Sequence, residues 1–306
     1  KKMGGSAAHL PGGIGWYRKQ FKLPRSYNGK VISILFDAIC HQSDVYINGH
    51  HLGFRPYGFC SIEYDLTPYL DYDGENVIAV RVNRSGVKDV ARWYTGSGIY
   101  RHAWLQVTNP VHVATYGTYV TTPSVSEDKA EIRIMTTLEN ELKKVQTVSI
   151  SHLILDNQGK IVAKSGTEKT LFEAGQSIKI TQNLTLNYPR LWTLEKPELY
   201  TLETTVKANG KVTDLYKTPF GIRTIAFDSE KGFLLNGKQV KLKGMCLHQD
   251  AGSLGTAVLD RSYERRLEII KEYGCNAIRC SHNQPSPEFL DMCDRMGFVV
   301  IDEAFD

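Results

Sequence analysis

From residue 14 to residue 108 the chain is a series of short apolar runs, at 16–23, 31–36, 44–47, 77–82 and 103–107. They are rich in β-branched and aromatic residues and are divided by turn signals, so they read as strands. Asn48-Gly49 separates Val45-Tyr46-Ile47 from Leu52-Gly53-Phe54. A two-residue type I′ turn needs positive φ at both central positions, and this pair adopts it at little cost. Asp73-Gly74 reads as a similar turn before Val77. No helical period longer than two turns interrupts the series, which predicts an antiparallel sandwich.

Asn109-Pro110 punctuates the chain, and a second all-β stretch follows to about Arg223. Residues 130–139 alternate, with Ile132, Ile134, Thr136 and Leu138 on one face, and residues 145–155 and 177–186 do the same. Asp156 to Gly159 and Ala208-Asn209-Gly210 read as turns. Seven or so short strands in about 110 residues suit an immunoglobulin-like sandwich.

The pattern changes at Gly232. Phe233 to Val240 reads as a hairpin around Asn236-Gly237, and residues 241–247 read as a buried strand. Residues 262–273 have helical spacing, with Leu267, Ile270 and Tyr273 on one side and Gly274 as the stop. Residues 275–280 form the next predicted strand. Ser286 can cap a helix that has Pro287 in its first position, Phe289, Leu290, Cys293 and Met296 on the buried side, and Gly297 after its end. Residues 298–301 complete a β-α-β-α-β order with short connections, which indicates a parallel sheet. The expected division is 1–109, 110–222 and 223–306. The last segment is far short of the roughly 250 residues of a closed (β/α)₈ barrel.

Composition narrows the class. The chain has 306 residues, 42% hydrophobic and 23% charged, which is ordinary for a globular protein and excludes fibrous or disordered classes. A net charge of +4, with Lys and Arg scattered, gives no basic stripe for nucleic acid. No apolar stretch approaches the ~18 residues that span a membrane. Residues 1–9 lack the apolar core of a signal peptide, and since such a peptide is removable the compartment stays open between cytoplasm and periplasm. None of the six cysteines forms a CxxC pair, so they read as small, buried, reduced hydrophobes. Sixteen Tyr and four Trp suit core packing and sugar-face contacts alike.

Several segments carry a family resemblance. The first domain has Gly15-Trp16-Tyr17-Arg18-Lys19, Val45 to Gly49 with Leu52-Gly53, and Arg92-Trp93-Tyr94 leading to Gly98-Ile99-Tyr100-Arg101. The second ends with Leu191-Trp192, Pro197 to Leu202, and Phe220 to Arg223. The third has Leu234 to Lys238 and Lys243 to Asp250, then Asn276, Arg279, Ser281, His282 and Pro285, and then Cys293-Asp294, Gly297, Val300 and Asp302-Glu303. In this order, over essentially the whole chain, the pattern resembles glycoside hydrolase family 2, which comprises β-galactosidases, β-glucuronidases and β-mannosidases. The resemblance implies a mostly β, multidomain architecture. A jelly-roll-like, galactose-binding-type sandwich comes first, then an immunoglobulin-like sandwich, then the first β/α units of a TIM barrel.

The same resemblance implies a retaining exo-β-glycosidase, β-galactosidase-like before its relatives, acting through one Glu as acid/base and a second as nucleophile ~5–5.5 Å away. In the family both lie beyond the position of Asp306, so this chain by itself is expected to be inactive, and no catalytic residue is assigned within it. Glu288 and Glu303 are not substitutes: Glu303 fits the acidic position of the third barrel strand, and Glu288 opens a helix. Sugar binding is expected of His248, Arg279 and His282, at the ends of barrel strands where parallel folds bind ligands. Arg offers a planar pair of donors and His a donor or an acceptor, although an Arg paired to a neighbouring carboxylate and a His capping a backbone group are the competing structural roles. Arg92, Trp93 and Asp250 are further candidates. The Arg92-Trp93 loop either stacks on the sugar or plugs a domain interface, and Asp250 either binds sugar or forms an Asx turn. Asp302, Glu303 and Asp306 at the third strand's mouth would tune the acid/base group or hold a cation. No metal site is assigned and no cofactor is required, although Mg²⁺ or Na⁺ is compatible with the complete enzyme. The implied partner is a carbohydrate substrate, with no nucleic acid and no membrane, and a homo-oligomer is compatible. A non-catalytic carbohydrate-binding module is the alternative of another class.

Overall fold

The computed structural model describes residues 12–85 and 93–304. The candidates Arg92 and Asp306 therefore lie outside the described residues. The chain is mostly β and divides into two compact units, one of residues 1–107, 243–293 and 299–306, the other of residues 108–242 and 294–298.

In the first unit, Ile14–Phe21, Asn76–Asn83, Gln42–Ile47 and His50–Arg55 form one antiparallel sheet in that order. Ile62–Asp65, Val31–Phe36 and Ala103–Thr108 form a second. Alternation sorts the side chains: Ser43, Val45 and Ile47 are buried, while Asp44 and Tyr46 on the same strand are only half-buried. The core gathers Ile32, Ile34, Phe36, Ile39, Val45, Ile47, Leu66, Val80 and their neighbours. Asn48 and Gly49 have φ of 48° and 84°, as the Asn-Gly turn requires. The turn before Val77 differs from expectation. It is built by the Asp71 carboxylate, which accepts from the N–H groups of Asp73 and Gly74 at 2.8 and 3.0 Å. A local side-chain bond replaces the hairpin turn there.

The same unit contains the parallel segment apart from residues 294–298: β1 (Gly244–Leu247), α1 (Asp260–Glu272), β2 (Ala277–Cys280), α2 (Pro287–Met296) and β3 (Val299–Ile301), with sheet order β1-β2-β3. β1 is exposed rather than buried, since it is an edge of this sheet and Met245 is 43% exposed. Helix α1 buries Tyr263, Leu267 and Ile270. Tyr273, expected on that side, falls past the last turn and is 78% exposed. Helix α2 starts as the sequence indicates, with Ser286 Oγ accepting from Phe289 N at 3.3 Å, and Gly297 ends it at φ 73°. It buries Phe289, Met292 and Cys293, while Leu290 and Met296 are half-buried.

Polar contacts join this segment to the first sandwich. Tyr57 donates to Asn283 Oδ1 at 3.0 Å and Ala304 O at 3.1 Å, Arg101 donates to Gln284 O at 2.7 Å, and His102 pairs with Asp260 at 3.0 Å. Asp37, which accepts from Trp104 Nε1 at 3.1 Å, is hydrogen-bonded to Glu288 at the start of α2. Burial raises the pKa of both carboxyls from their ordinary values.

In the second unit, Val111–Val125, Lys129–Asn140 and Ser177–Asn187 form one antiparallel sheet. Ile161–Lys164, Gln146–Leu155, Tyr200–Ala208 and Lys211–Phe220 form another, with Glu168–Phe172 beside Gln146–Leu155. The predicted face of residues 130–139 is the buried one, with Ile132, Ile134, Thr136 and Leu138 at most 1% exposed. Among the described residues no helix is long and apolar enough to cross a membrane.

His152 faces this core at 1% exposure, with Nδ1 3.0 Å from Thr204 Oγ1. Burial lowers its pKa from 6.5 to about 4. Between those values the unfolded chain binds the proton more readily, so stability is present above pH 6.5 and is lost as pH falls towards 4. The loss amounts to ~3 kcal/mol. We expect the difference between wild type and His152→Gln in chemical denaturation to vary over that window by about this amount. A difference that stays flat with pH would mean the ring is not held neutral.

Candidate functional site

The parallel register assembles the cluster. Cys246 of β1, Arg279 of β2 and Ile301 of β3 are aligned partners and share one face of the sheet. A side-chain period of two carries that face onward to His248 and Glu303, each two residues further along, just past its strand's end. Close approach of β1 and β2 is permitted by Gly244, where a Cβ would meet the carbonyl oxygen of Ala277 at 2.5 Å.

Arg279 donates through Nε to Glu303 Oε1. His282 Nδ1 lies 2.8 Å from Glu303 Oε2, and Arg279 Nη2 lies 3.3 Å from the same nitrogen. His248 Nδ1 lies 2.8 Å from the carbonyl oxygen of Ser281. Trp93 stacks on His248 with ring centres 4.4 Å apart and planes 8° apart, and its centre is 5.3 Å from that of His282. The two imidazoles are 5.8 Å apart. His248, Arg279, His282 and Trp93 thus form one cluster of aromatic faces and polar edges.

Asp250 does not join them by its side chain. Its backbone carbonyl accepts from Arg266 at 2.7 Å, and among the described residues its carboxylate makes none of the contacts that hold the cluster. Sequence reasoning had placed Glu303 at the strand mouth without its partners; it is the hub. The signal for it was the period of two from Ile301. Cys246 is a second addition. It is exposed, unlike the other cysteines, and all six are free. Hydrogen bonds from Ser281 and then Arg279 hold its thiol below its ordinary pKa, whereas burial pushes Cys280 up to about 12.

Glu303 is held below the usual carboxylate range by its hydrogen bond from His282 and then by Arg279. A glycosidase acid needs the opposite, a carboxyl kept protonated near neutral pH. Glu303 therefore acts as an ionised anchor. The neighbouring Asp302 is raised, chiefly by burial. The cavity beside His248, also lined by Gln249, Arg266 and Ser281, measures about 30 Å³, which suits water rather than a sugar ring. Among the described residues no group of His, Cys, Asp and Glu has the arrangement of a metal site.

The cluster of Trp93, His248, Arg279 and His282 thus lies at the carboxyl ends of the parallel strands. Comparison with known proteins gives the family. The glycosyl hydrolases family 2 sugar-binding-domain model matches residues 7–110, the family 2 model residues 111–223, and the family 2 TIM-barrel model residues 227–305. The chain belongs to glycoside hydrolase family 2. It is 51% identical over 303 residues to β-galactosidase BoGH2A of Bacteroides ovatus, which covers 99% of this chain and 35% of that protein. It is 36% identical over 310 residues to a β-glucuronidase of Formosa agariphila, covering 94% and 32%. A solved family 2 glycosyl hydrolase from Bacteroides cellulosilyticus superposes with a TM-score of 0.94 at 42% identity, over 98% of this chain and 38% of that one. The chain spans about a third of the length of the curated relatives it matches.

Proposed function

We propose that this chain is the sugar-positioning front of a retaining exo-β-glycosidase whose preferred substrates are β-galactosides. The observation that carries the reading is the Arg279–Glu303–His282 network beside the Trp93–His248 stack, at the mouth of a parallel β/α segment. Aromatic faces suit the C–H faces of a pyranose, and the imidazole and guanidinium edges suit its hydroxyls. In a parent protein of the relatives' length, two further glutamates perform the double displacement, the first protonating the glycosidic oxygen and the second attacking the anomeric carbon. No cofactor is needed for that chemistry, and Mg²⁺ or Na⁺ is compatible with it. β-Glucuronidase is the second reading, supported by the relatives of that name.

Two measurements test this. The purified 306-residue chain should give no turnover of a nitrophenyl β-galactoside above blank. The parent-length protein should hydrolyse it with release of the β-anomer, as followed by NMR before mutarotation. Turnover by the chain itself, or inversion by the parent, would overturn the reading. A parent that binds sugars without turnover would favour a carbohydrate-binding module.

A further inference from the structure

The contacts at the two imidazoles assign their hydrogens. His248 Nδ1 faces a backbone carbonyl at 2.8 Å, and a carbonyl only accepts, so this nitrogen carries a hydrogen. His282 Nδ1 faces Glu303 Oε2 at 2.8 Å, and an ionised carboxylate also only accepts. Its other neighbour, Arg279 Nη2, is a donor at the longer distance of 3.3 Å. A bare Nδ1 would set its lone pair against the carboxylate, so the shorter contact decides. In a neutral ring a hydrogen on Nδ1 leaves a lone pair on Nε2. Trp93 fixes the plane of His248 by its 8° stack and lies against His282 as well.

We infer that Glu303 is a positioning residue that holds His282 in the Nδ1–H form, so that His282 and His248 together present two Nε2 acceptors and this end of the site reads sugar hydroxyls as hydrogen-bond donors. The inference rests on the sugar-binding role proposed above and adds its chemistry. A hydroxyl can donate to both rings. A carboxylate cannot, so the acid group of a uronic acid would have to be read elsewhere. This part of the site therefore selects for the hydroxyl rim of a glycosyl group. Glu303 does its part without touching the sugar.

The tautomers are measured on this chain by two-bond proton–nitrogen correlation spectra of ¹⁵N-histidine protein at pH 7.5, assigned by single histidine substitutions. Both rings should show a protonated Nδ1 and a bare Nε2. Glu303→Gln should retain this pattern at His282, because the amide oxygen still accepts. Glu303→Ala should move His282 towards the Nε2–H form and leave His248 unchanged. An Nε2–H form of His282 in the unaltered chain, or no change in Glu303→Ala, would overturn the inference. The hydroxyl-reading half uses the parent-length protein and the dissociation constants of the free sugar and its monofluoro and monodeoxy analogues. Fluorine accepts but does not donate. At the hydroxyls read by these rings the fluoro sugar should bind about tenfold more weakly, as poorly as the deoxy sugar. Fluoro analogues that bind as well as the parent sugar at every position would overturn it. The spectra decide the tautomers even if the parent proves not to be a glycosidase, so the two failures are distinguishable.

Discussion

Replacing His282 with Ala in the parent-length protein is expected to lower kcat/KM by about 100-fold, with kcat falling alongside it. The ring is half-buried between Glu303, Arg279 and Trp93, so its position is set before any ligand arrives. A preset polar group contributes most where charge and geometry change in the transition state, and its loss then shows in both constants. The variant also leaves Glu303 with Arg279 as its partner in the cluster, so the carboxylate stays paired and the fold should be retained. Steady-state kinetics with a nitrophenyl β-galactoside, alongside a circular dichroism control, measures the effect. A rise in KM with kcat unchanged would mean that His282 contributes only uniform binding. Unchanged kinetics in a folded variant would make the ring structural and remove it from the site.

Much of this was legible in the sequence because local rules and tertiary packing agree. Asn48-Gly49, Asn209-Gly210 and Asn236-Gly237 all adopt positive φ at both positions, since Asn and Gly enter that region at little cost and hairpins need it. The period of two in residues 130–139 matches the buried face because that strand has a core on one side only. Reading failed where partners lie far apart in the chain. Residues 241–247 are apolar enough for a buried strand, yet burial depends on what covers them, which no local pattern states. Tyr273 looked like a core position until the helix ended one residue before it. The site shows the same division. Strand ends gave His248, Arg279 and His282, but the choice of Glu303 as their common partner depends on the register of three strands separated by two helices. Likewise no local pattern states the stack of Trp93 on His248, 155 positions away in numbering.

The second unit should be most sensitive to Trp192→Ala, with an expected loss of about 4 kcal/mol. Trp192 is 1% exposed and is tied down on every side. Its indole N–H donates to Asp294 O at 2.8 Å, and its backbone N–H donates to Ile222 O at 2.9 Å. Its carbonyl accepts from Asn236 Nδ2 at 3.0 Å. The Arg223 guanidinium lies 4.6 Å above the ring, a contact that is stronger when desolvated, and burial indeed lowers the pKa of Arg223. Gly221 packs so closely that a Cβ there would meet the Trp192 side chain at 3.0 Å. With this much surrounding backbone, the space left by the ring cannot collapse, and the residual cavity adds to the lost burial. Truncation also removes the indole donor to Asp294 O and leaves Arg223 buried without its aromatic face. A loss of this size is a large fraction of the 5–15 kcal/mol that holds an ordinary domain together. Trp192→Phe should recover part of it, because the ring face returns while the N–H donor does not. Urea denaturation followed by far-ultraviolet circular dichroism compares the three proteins. If Trp192→Ala costs under about 1 kcal/mol, the residue is not the packing centre of this unit, and the Arg223–Trp192–Asp294 arrangement contributes little to its stability.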